Sequence, residues 1–398
     1  MRVGVGYSDN PDSLAAGAQA ARDALTQAEL ESCDLVLLFS TARHDPQILR
    51  QAVAAVVGPR ARIVGGWAVG TLTNRCLGYA GDQVGLAAFT LDSVECQLIA
   101  EGDLAEGETL VGERIGQRLA ALGTGPESPV VLFYDTVDRT SGRMSMLMAT
   151  PLLTGIERSL GYLPALVGAG LTGDMVGTPT RQWTGEGIAE RHALALLFSA
   201  GVRMDSIIMH GCQPCTGYYT VTKADAQTIL EIDGRPALEV IGSILGDAIA
   251  PEDFGFFVTL GVNMGDKWGD FDESAYVNRM CLKIDRKRGG LVMFEPDMVE
   301  GTQFQVMHRS VNMDYIAPRI ESLFAGLDGR TPVFAFYIDC AGRAAGFAGI
   351  DAEDAAVVQR VVGERVPLLG IYSGVEVGSV LGRPRALDWT GVFCLFSI

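Results

Sequence analysis

The sequence predicts a mixed α/β protein of two domains, built from repeated units whose mixed sheets pack against helices. The first reason is a pattern that occurs three times: an apolar strand-like run, a helix-like stretch, a glycine-rich turn and another strand-like run. Self-similarity of this kind is typical of a repeat architecture. The second reason is the length of 398 residues, because a single core stops growing near ~250–300 residues. The third is an apolar fraction of 48%, which is typical of packed globular proteins.

The glycine-rich turns mark the three units. They lie at 64–70, 167–173 and 369–375. The strand-like runs before them are at 35–40, 130–135 and 333–339, and those after them are at 84–89, 193–198 and 391–396. Glycine tolerates positive φ and lets a backbone or a ligand approach closely. We therefore expect the turns to surround shared crevices, and we expect a ligand site there.

Capping and spacing predict the elements of the first unit. Asp45 is a good N-cap and Pro46 suits the first helical position, so a helix is expected to begin there and to stop at Gly58 and Pro59. The other predicted elements are a strand at 1–8, an alanine-rich helix at 14–30, antiparallel strands at 83–90 and 93–101, and a helix at 106–122.

The second unit contains a methionine-rich stretch. Met144, Met146 and Met148 fall in a helix predicted over 141–160. Methionine fills irregular gaps in cores and also lines soft ligand pockets, and the core interpretation is favoured here. A polar loop at 174–187 and strands at 188–200 and 202–210 complete the unit.

A change of composition near 211–219 predicts the domain boundary, because small and polar residues replace the strand pattern there. The two domains are therefore 1–212 and 213–398. The second is predicted to contain a helix at 237–245, strands at 254–262, 279–284, 290–294 and 303–308, a helix at 313–327 and the third repeat unit at 330–398.

Charge and composition exclude several classes of partner. The formal net charge of −17 repels nucleic acid and anionic lipid alike. The short basic run 283–288 is interpreted as a solvated hairpin end. The N-terminus lacks the apolar region of a secretory signal, and apolar runs fall short of the ~18 residues of a membrane helix. A cytoplasmic protein is expected, with buried free thiols at Cys33, Cys96, Cys281, Cys340 and Cys394.

Three stretches, taken in order, carry a family resemblance. The first is Leu35 to Ser40 with His44-Asp45 and Ile63 to Gly66. The second is His210 to Pro214, leading to Val221 to Lys223 and Leu230 to Leu238, and the third is Asp339 to Arg343 with Gly370 to Gly378. Over nearly the whole chain this arrangement resembles the FIST family, an N-terminal FIST half followed by a C-terminal one.

The resemblance implies a sensory module for small ligands in signalling, which as a stand-alone chain reports to a separate partner such as a histidine kinase. Some stand-alone members resemble haem-binding sensors of nitric oxide, so haem b is the cofactor that the resemblance implies. A metal-free sensor of amino acids or small metabolites is the alternative. A protein-docking scaffold, as the F-box relatives of the family suggest, is another.

Four residues of the third unit are the candidate ligand site. Cys340 and Arg343 follow its first strand, while Tyr372 and Glu376 lie at its glycine turn. If the two strands are neighbours, the four side chains converge on one mouth. Arginine can clamp a carboxylate and a carboxylate can bind an ammonium group, so the pair suits an amino acid. The alternative, an ion pair between Arg343 and Glu376, stays open.

A haem requires an axial donor, and the chain has four histidines. His210 is the first candidate for iron, with His192 and His308 behind it, while His44 is interpreted as a solvated residue. No enzyme activity is expected, because Cys340 has no histidine near it in sequence to act as a base. Cys212 and Cys215 form a lone C-x-x-C that lacks a second ligand pair for zinc, and two unpaired thiols are the favoured interpretation.

Overall fold

The computed structural model describes residues 1–92, 94–246 and 249–398. The helices of these residues are α1 Ser13–Gln27, α2 Pro46–Val57, α3 Glu108–Ala121, α4 Ala149–Leu160, α5 Ala237–Leu245, α6 Ile316–Ala325, α7 Ala345–Ala348 and α8 Asp354–Val362.

The strands up to the second glycine turn are β1 Arg2–Ser8, β2 Leu35–Ser40, β3 Arg62–Trp67, β4 Gly70–Thr73, β5 Leu77–Tyr79, β6 Val84–Thr90, β7 Cys96–Glu101, β8 Pro129–Asp135, β9 Val137–Asp138, β10 Ser145–Met146 and β11 Ala165–Leu171. Those that follow, as far as the middle of the second half, are β12 Gln182–Gly185, β13 Ile188–Ala189, β14 Ala193–Phe198, β15 Arg203–Met209, β16 Cys212–Pro214, β17 Tyr219–Asp225, β18 Thr228–Ile232, β19 Arg235–Pro236 and β20 Thr259–Asn263. The remaining strands are β21 Tyr276–Asp285, β22 Gly290–Met293, β23 Gln303–Arg309, β24 Pro332–Cys340, β25 Leu368–Ser373, β26 Val375–Val380, β27 Arg383–Leu387 and β28 Gly391–Ser397.

Local signals placed several element boundaries correctly. Asp45 caps α2, and its Oδ1 accepts hydrogen bonds from the backbone N–H groups of Gln47 at 2.9 Å and Ile48 at 2.8 Å.

The helix predicted from residue 141 begins only at Ala149, because residues 145–146 pair with β9 as a short ribbon. The strand predicted at 93–101 is β7, and its first predicted residue, Ser93, lies outside the described residues.

Each of the three units forms a mixed sheet with the same strand arrangement. In the first, β2 lies between β3, to which it is parallel, and β6, to which it is antiparallel. Strand β1 then pairs antiparallel with β6. The second repeats this order with β8, β11, β14 and β7, and the third with β24, β25, β28 and β15. The predicted mixed α/β class and its repeated units are confirmed.

The strands that follow the glycine turns leave their own sheets. After the first turn, β4 pairs with β25 of the third unit. After the second, β12 pairs with β3 of the first unit, and after the third, β26 pairs with β11 of the second. Every unit therefore supplies a strand to one neighbour and receives one from the other. This cyclic exchange was not predicted.

The glycines of the turns make these crossings sterically feasible. A Cβ at Gly370 would lie 2.8 Å from both the Leu72 Cγ and the Tyr337 carbonyl oxygen. A Cβ at Gly168 would likewise collide with the Leu132 carbonyl oxygen on the neighbouring central strand. Close approach of two backbones, as expected from the sequence, is therefore the reason for glycine at these positions.

The central core lies where the three units meet. Phe39, Phe133 and Phe336 come from the central strands of the three sheets. Their ring centroids are 5.2, 5.9 and 6.0 Å apart, and all three side chains are buried. Edge and stacked contacts at these separations add to the stabilisation from apolar burial.

A small β-barrel lies between the second and third units in the chain. Strands β23, β17, β18, β22, β21 and β20 follow one another, and β20 pairs back with β23. One face of α5 packs on the barrel core through Ala237, Val240 and Ile241. The sequence predicted several of these strands but not their closure.

The boundary predicted between 212 and 213 stays a prediction, and strands pair across it. Strand β15 pairs with the last strand, β28, and β11 pairs with β26. None of the helices in the described part of the chain combines the length and apolar character needed to cross a bilayer.

Candidate functional site

The main candidate site is a cavity of about 190 Å³ between the barrel and the glycine turns of the second and third units. Two of the three turns therefore border a hollow, as expected. The lining residues are Thr136, Val137, Met144, Met146, Thr172, Asp174, Met175, Val176, Gly177, Phe256, Met280, Leu282, Phe294, Cys340, Ala341, Gly342, Ser373 and Gly374.

Small residues at the ends of β24 and β25 leave this space open. Ala341 and Gly342 follow β24, while Ser373 ends β25 and Gly374 follows it. A Cβ at Gly374 would already lie 3.3 Å from the Thr136 Oγ1 and 3.4 Å from the Thr172 Cγ2. Larger side chains at this end of the sheets would therefore fill the cavity.

The walls are apolar and rich in sulfur. Met144, Met146, Met175 and Met280 face the space together with two phenylalanines of the barrel side. Met144 and Met146 were expected to fill the core, but they line the cavity. A ligand pocket was the less favoured of the two interpretations of these methionines. Methionine is polarisable and adaptable, so such walls accommodate apolar ligands of varied shape.

The polar side chains of the lining are already hydrogen-bonded to the protein. The Thr136 hydroxyl donates to the Leu171 carbonyl oxygen at 2.8 Å, and the Thr172 hydroxyl donates to that of Asp174 at 3.1 Å. The Ser373 hydroxyl donates to Glu376 Oε1 at 2.9 Å. The Asp174 carboxylate accepts from the backbone N–H groups of Val176 and Thr178, both at 3.0 Å. A ligand therefore meets mainly apolar surface.

Cys340 is the predicted ligand residue that lines the cavity. Its side chain is buried, and burial raises the pKa of the thiol well above its usual range, with the nearby Glu376 adding to the effect. A neutral thiol presents a small, weakly polar surface to the cavity.

Arg343 lies outside the lining and has a full set of partners. Its Nε donates to Asp339 Oδ1 at 3.1 Å and to Asp354 Oδ2 at 3.0 Å. The terminal nitrogens donate to Asp354, to the Tyr315 hydroxyl at 3.0 Å, and to the carbonyl oxygens of His210 at 3.0 Å and Trp389 at 3.3 Å. All five N–H groups are therefore used, and the guanidinium is not arranged to clamp a ligand carboxylate.

Tyr372 and Glu376 also lie away from the cavity walls. The Tyr372 hydroxyl donates to Glu353 Oε1 at 3.0 Å on the opposite face of β25 from Ser373. The Glu376 carboxyl is fully buried and accepts from Ser373, and burial raises its pKa well above the usual range. Neither the expected convergence of the four side chains nor a direct ion pair between Arg343 and Glu376 is found among the described residues.

The three candidate haem ligands lie in different environments. His210 is buried, its Nδ1 accepts from the Cys212 N–H at 2.9 Å, and its Nε2 contacts the Glu273 carbonyl oxygen at 3.1 Å. Burial lowers its pKa to about 4. His192 Nδ1 contacts the Glu190 carbonyl oxygen at 2.7 Å, and burial lowers the pKa of this half-buried ring. His308 is exposed on the barrel strand β23.

A haem does not fit this arrangement. Within the described residues, the cavity lining contains no histidine, and His210 has both ring nitrogens engaged. The cavity of about 190 Å³ is also smaller than the roughly 300–1,000 Å³ of pockets that enclose drug-sized ligands. His44, expected to be solvated, is instead buried, with its ring bonded to Ser13 and to the carbonyl oxygen of Asp82.

The cysteines of the C-x-x-C segment differ in environment. Cys212 is buried and Cys215 is exposed, and across the described residues all eight cysteines are free thiols. Cys33, Cys96, Cys281, Cys340 and Cys394 are buried as predicted.

Two family models match the chain in the order that the sequence motifs suggested. The FIST N domain matches residues 34–235, and the FIST C domain matches residues 237–379.

The chain belongs to the FIST family. FIST domains are sensor domains of signal transduction that bind small ligands. In this FIST protein the cavity is bordered by two of the segments that carried the resemblance, since 340–342 and 373–374 lie within them.

Relatives that match along the whole chain occur in mycobacteria. An uncharacterized protein of Mycobacterium bovis, Mb0898c, is 26% identical over 408 residues, covering 100% of this chain and 99% of its own length. The uncharacterized protein Rv0628c of Mycobacterium tuberculosis is 27% identical over 409 residues, covering 100% of both chains. The likeness therefore extends over the N-terminal units, the barrel and the third unit together.

Sequence reasoning missed the barrel wall of the cavity. Phe256, Met280 and Phe294 lie in a region that was predicted only as successive strands. Their spacing gives no hint of a pocket, because they reach the glycine turns only after the barrel has closed. The methionines at 144 and 146 were the one available signal.

Proposed function

We propose that this FIST protein senses a small, neutral, mostly apolar molecule in the cavity and reports to a separate signalling protein. The observation that carries the proposal is the apolar, methionine-rich lining whose polar side chains are bonded within the protein. A charged ligand group placed there would lose its hydration without gaining a partner, which is costly. An apolar cavity of ~150 Å³ is large enough for benzene, and this one is about 190 Å³.

The same lining disfavours the two ligands that the sequence suggested. A free amino acid brings a carboxylate and an ammonium group, and Arg343 and Glu376 are bonded elsewhere. The cavity offers haem neither enough space nor, among the described residues, an axial histidine in its lining. The alternative stated beside the family resemblance was a metal-free sensor of amino acids or small metabolites, and we adopt from it the sensing of a small metabolite with neither haem nor metal in this cavity.

Ligand binding in the cavity can alter contacts elsewhere in the molecule. Cys340, Ala341 and Gly342 line the cavity, and Arg343, the next residue, bonds to Asp339, Asp354, Tyr315 and the carbonyl oxygens of His210 and Trp389. A ligand that shifts the 340–342 segment therefore perturbs contacts with four other parts of the chain. A histidine kinase remains the proposed class of partner. We propose that the signal is relayed without catalysis, and the neutral Cys340 thiol supports this.

The test fills the cavity and measures binding by isothermal titration calorimetry with benzene and indole. Gly342→Leu adds a side chain at the cavity wall, where an added Cβ meets nothing closer than the Trp389 ring at 3.4 Å. We expect both ligands to bind the wild-type protein and not the Gly342→Leu protein. Met144→Trp, which fills the cavity from its exposed rim, should act likewise if Gly342→Leu fails to fold.

The matched control is Gly187→Leu, at a position outside the lining where an added Cβ meets nothing within 4 Å. It should bind like the wild type. Binding that is equal in wild type and in both filled variants rejects the cavity. Stoichiometric haem uptake with a Soret band lost in His210→Ala, together with no binding of benzene or indole, would restore the haem version. Kinase autophosphorylation that is the same with empty and loaded protein would contradict the proposed partner.

A further inference from the structure

Three carboxylates of the third unit lie together behind the cavity. They are Asp339 in β24, Glu353 just before α8 and Asp354 at its first position. One oxygen from each lies within 4.8 Å of one from the others. Asp339 and Asp354 are buried, and Glu353 is half-buried.

Arg343 satisfies only one oxygen of each aspartate. It bonds to Asp339 Oδ1 and to Asp354 Oδ2. Asp339 Oδ2 and Asp354 Oδ1 have no hydrogen-bond partner in residues 1–92, 94–246 and 249–398. Buried carboxylate oxygens rarely remain unpaired, because each loses its hydration without compensation.

A third buried polar atom without a partner lies beside them. Tyr337 is on the same face of β24 as Asp339, and its hydroxyl group lies over Gly391, which pairs directly with Asp339 across the sheet. That hydroxyl is buried and has no hydrogen-bond partner in the described part of the chain. The orphaned oxygens therefore come from a tyrosine as well as from the acidic pair.

Glu353 is held in place by neutral donors and opens the cluster toward solvent. It accepts from the Tyr372 hydroxyl at 3.0 Å, from the Tyr79 hydroxyl at 3.3 Å and from the Ala345 N–H at 3.0 Å. With Arg343 as the adjacent cation, three ionised carboxylates leave two negative charges uncompensated in the cluster (3 − 1 = 2).

We propose that Asp339 Oδ2, Asp354 Oδ1 and the Glu353 carboxylate bind a hard divalent cation of the Mg²⁺ or Ca²⁺ class. Such ions take oxygen ligands, and a charge of +2 neutralises the cluster. Water reaching the ion past half-buried Glu353 completes its coordination. The site does not depend on the proposed ligand, although Asp339 directly precedes the 340–342 segment of the cavity.

A shared proton between the two aspartates is the competing occupant, since burial raises the pKa of Asp339 well above its usual range. The experiment uses the full chain after chelation and dialysis, titrated at pH 7.5 with Mn²⁺, Mg²⁺ and Ca²⁺ by calorimetry and, for Mn²⁺, by electron paramagnetic resonance. We expect one ion per chain and a higher melting temperature with the ion than without it.

The variants are chosen to leave Arg343 its partners. Glu353→Gln removes a ligand that does not contact Arg343, and Asp339→Asn removes the charge at one orphaned oxygen. Because removal of groups that merely support metal ligands costs ~10–100-fold in affinity, we expect losses of roughly 100-fold here. The exposed Glu364→Gln is the matched control and should bind like the wild type.

Two results would overturn the site. One is the failure of all three ions to bind the wild-type protein at millimolar concentration. The other is an infrared band of a protonated carboxyl group that disappears in Asp339→Asn, which would place a proton where the ion is proposed.

Discussion

At the scale of single residues, burial decides which chemically capable side chains are available. Arg343 has the most versatile charged group of the third unit, yet its five N–H groups are all engaged inside the fold. Cys340 faces the cavity, but its thiol is held neutral by burial. The residue types were read correctly from the sequence, while their availability depends on the surrounding packing.

Cysteine reactivity tests this account of the thiols. We expect iodoacetamide at neutral pH to modify exposed Cys215 at least about a hundredfold faster than Cys340, because each unit by which the thiol pKa is raised lowers the thiolate fraction about tenfold. Peptide mass spectrometry over a time course measures both rates. Cys215→Ser should lose the fast modification, and rapid labelling of Cys340 in the folded protein would instead support a catalytic thiol.

At the scale of elements, contacts from distant segments complete local structures. Met148 at the N-cap of α4 provides no side-chain cap, and Glu295, after the barrel strand β22, caps the helix instead. Glu295 Oε1 accepts from the Ala149 N–H at 2.9 Å and Oε2 from the Thr150 N–H at 2.8 Å. These two hydrogen bonds satisfy N–H groups that a helix N-terminus leaves free, and they tie the barrel to the second unit.

The cap is expected to make stability depend on pH. Burial raises the pKa of Glu295 from 4.5 to about 7, with Arg279 opposing and Asp388 reinforcing the effect. The folded carboxyl keeps its proton where the unfolded one has lost it, so its contribution to the free energy of unfolding falls as pH rises from 4.5 to about 7. In urea titrations, the stability of the wild type minus that of Glu295→Gln should therefore decrease across this range.

The test compares the stability of the wild type with that of Glu295→Gln because other buried groups titrate in the same pH range. Burial also raises the pKa of Asp388 to about 6, and this group is present in both proteins. Glu300→Gln, a substitution of an exposed glutamate nearby in sequence, is the matched control. A flat difference for Glu295→Gln would show that the Glu295 carboxyl does not titrate in this range.

At the scale of the whole molecule, the three sheets depend on one another. In residues 1–212 alone, β4 loses its partner β25, β11 loses β26, and the central phenylalanine cluster loses Phe336. We expect this fragment to bind a hydrophobic dye and to lack a cooperative thermal transition, whereas the full chain melts cooperatively. Circular dichroism and dye fluorescence measure the two properties.

A matched control keeps every residue and breaks only the chain. The two pieces 1–212 and 213–398, made in the same cell, should associate and recover the cooperative transition. A fragment 1–212 that melts cooperatively by itself would instead support two independently folding domains with the predicted boundary.

Periodicity, caps and glycine spacing are properties of neighbouring residues, so the sequence by itself determined the central strands, the start of α2 and the threefold repeat. The exchange of β4, β12 and β26, the closure of the barrel and the burial of His44 depend on segments that meet only after folding. The cavity belongs to this second group. Its walls come from eight separate stretches of the chain, and whether Met144 or Phe294 faces core or ligand is decided by how the barrel packs on the glycine turns.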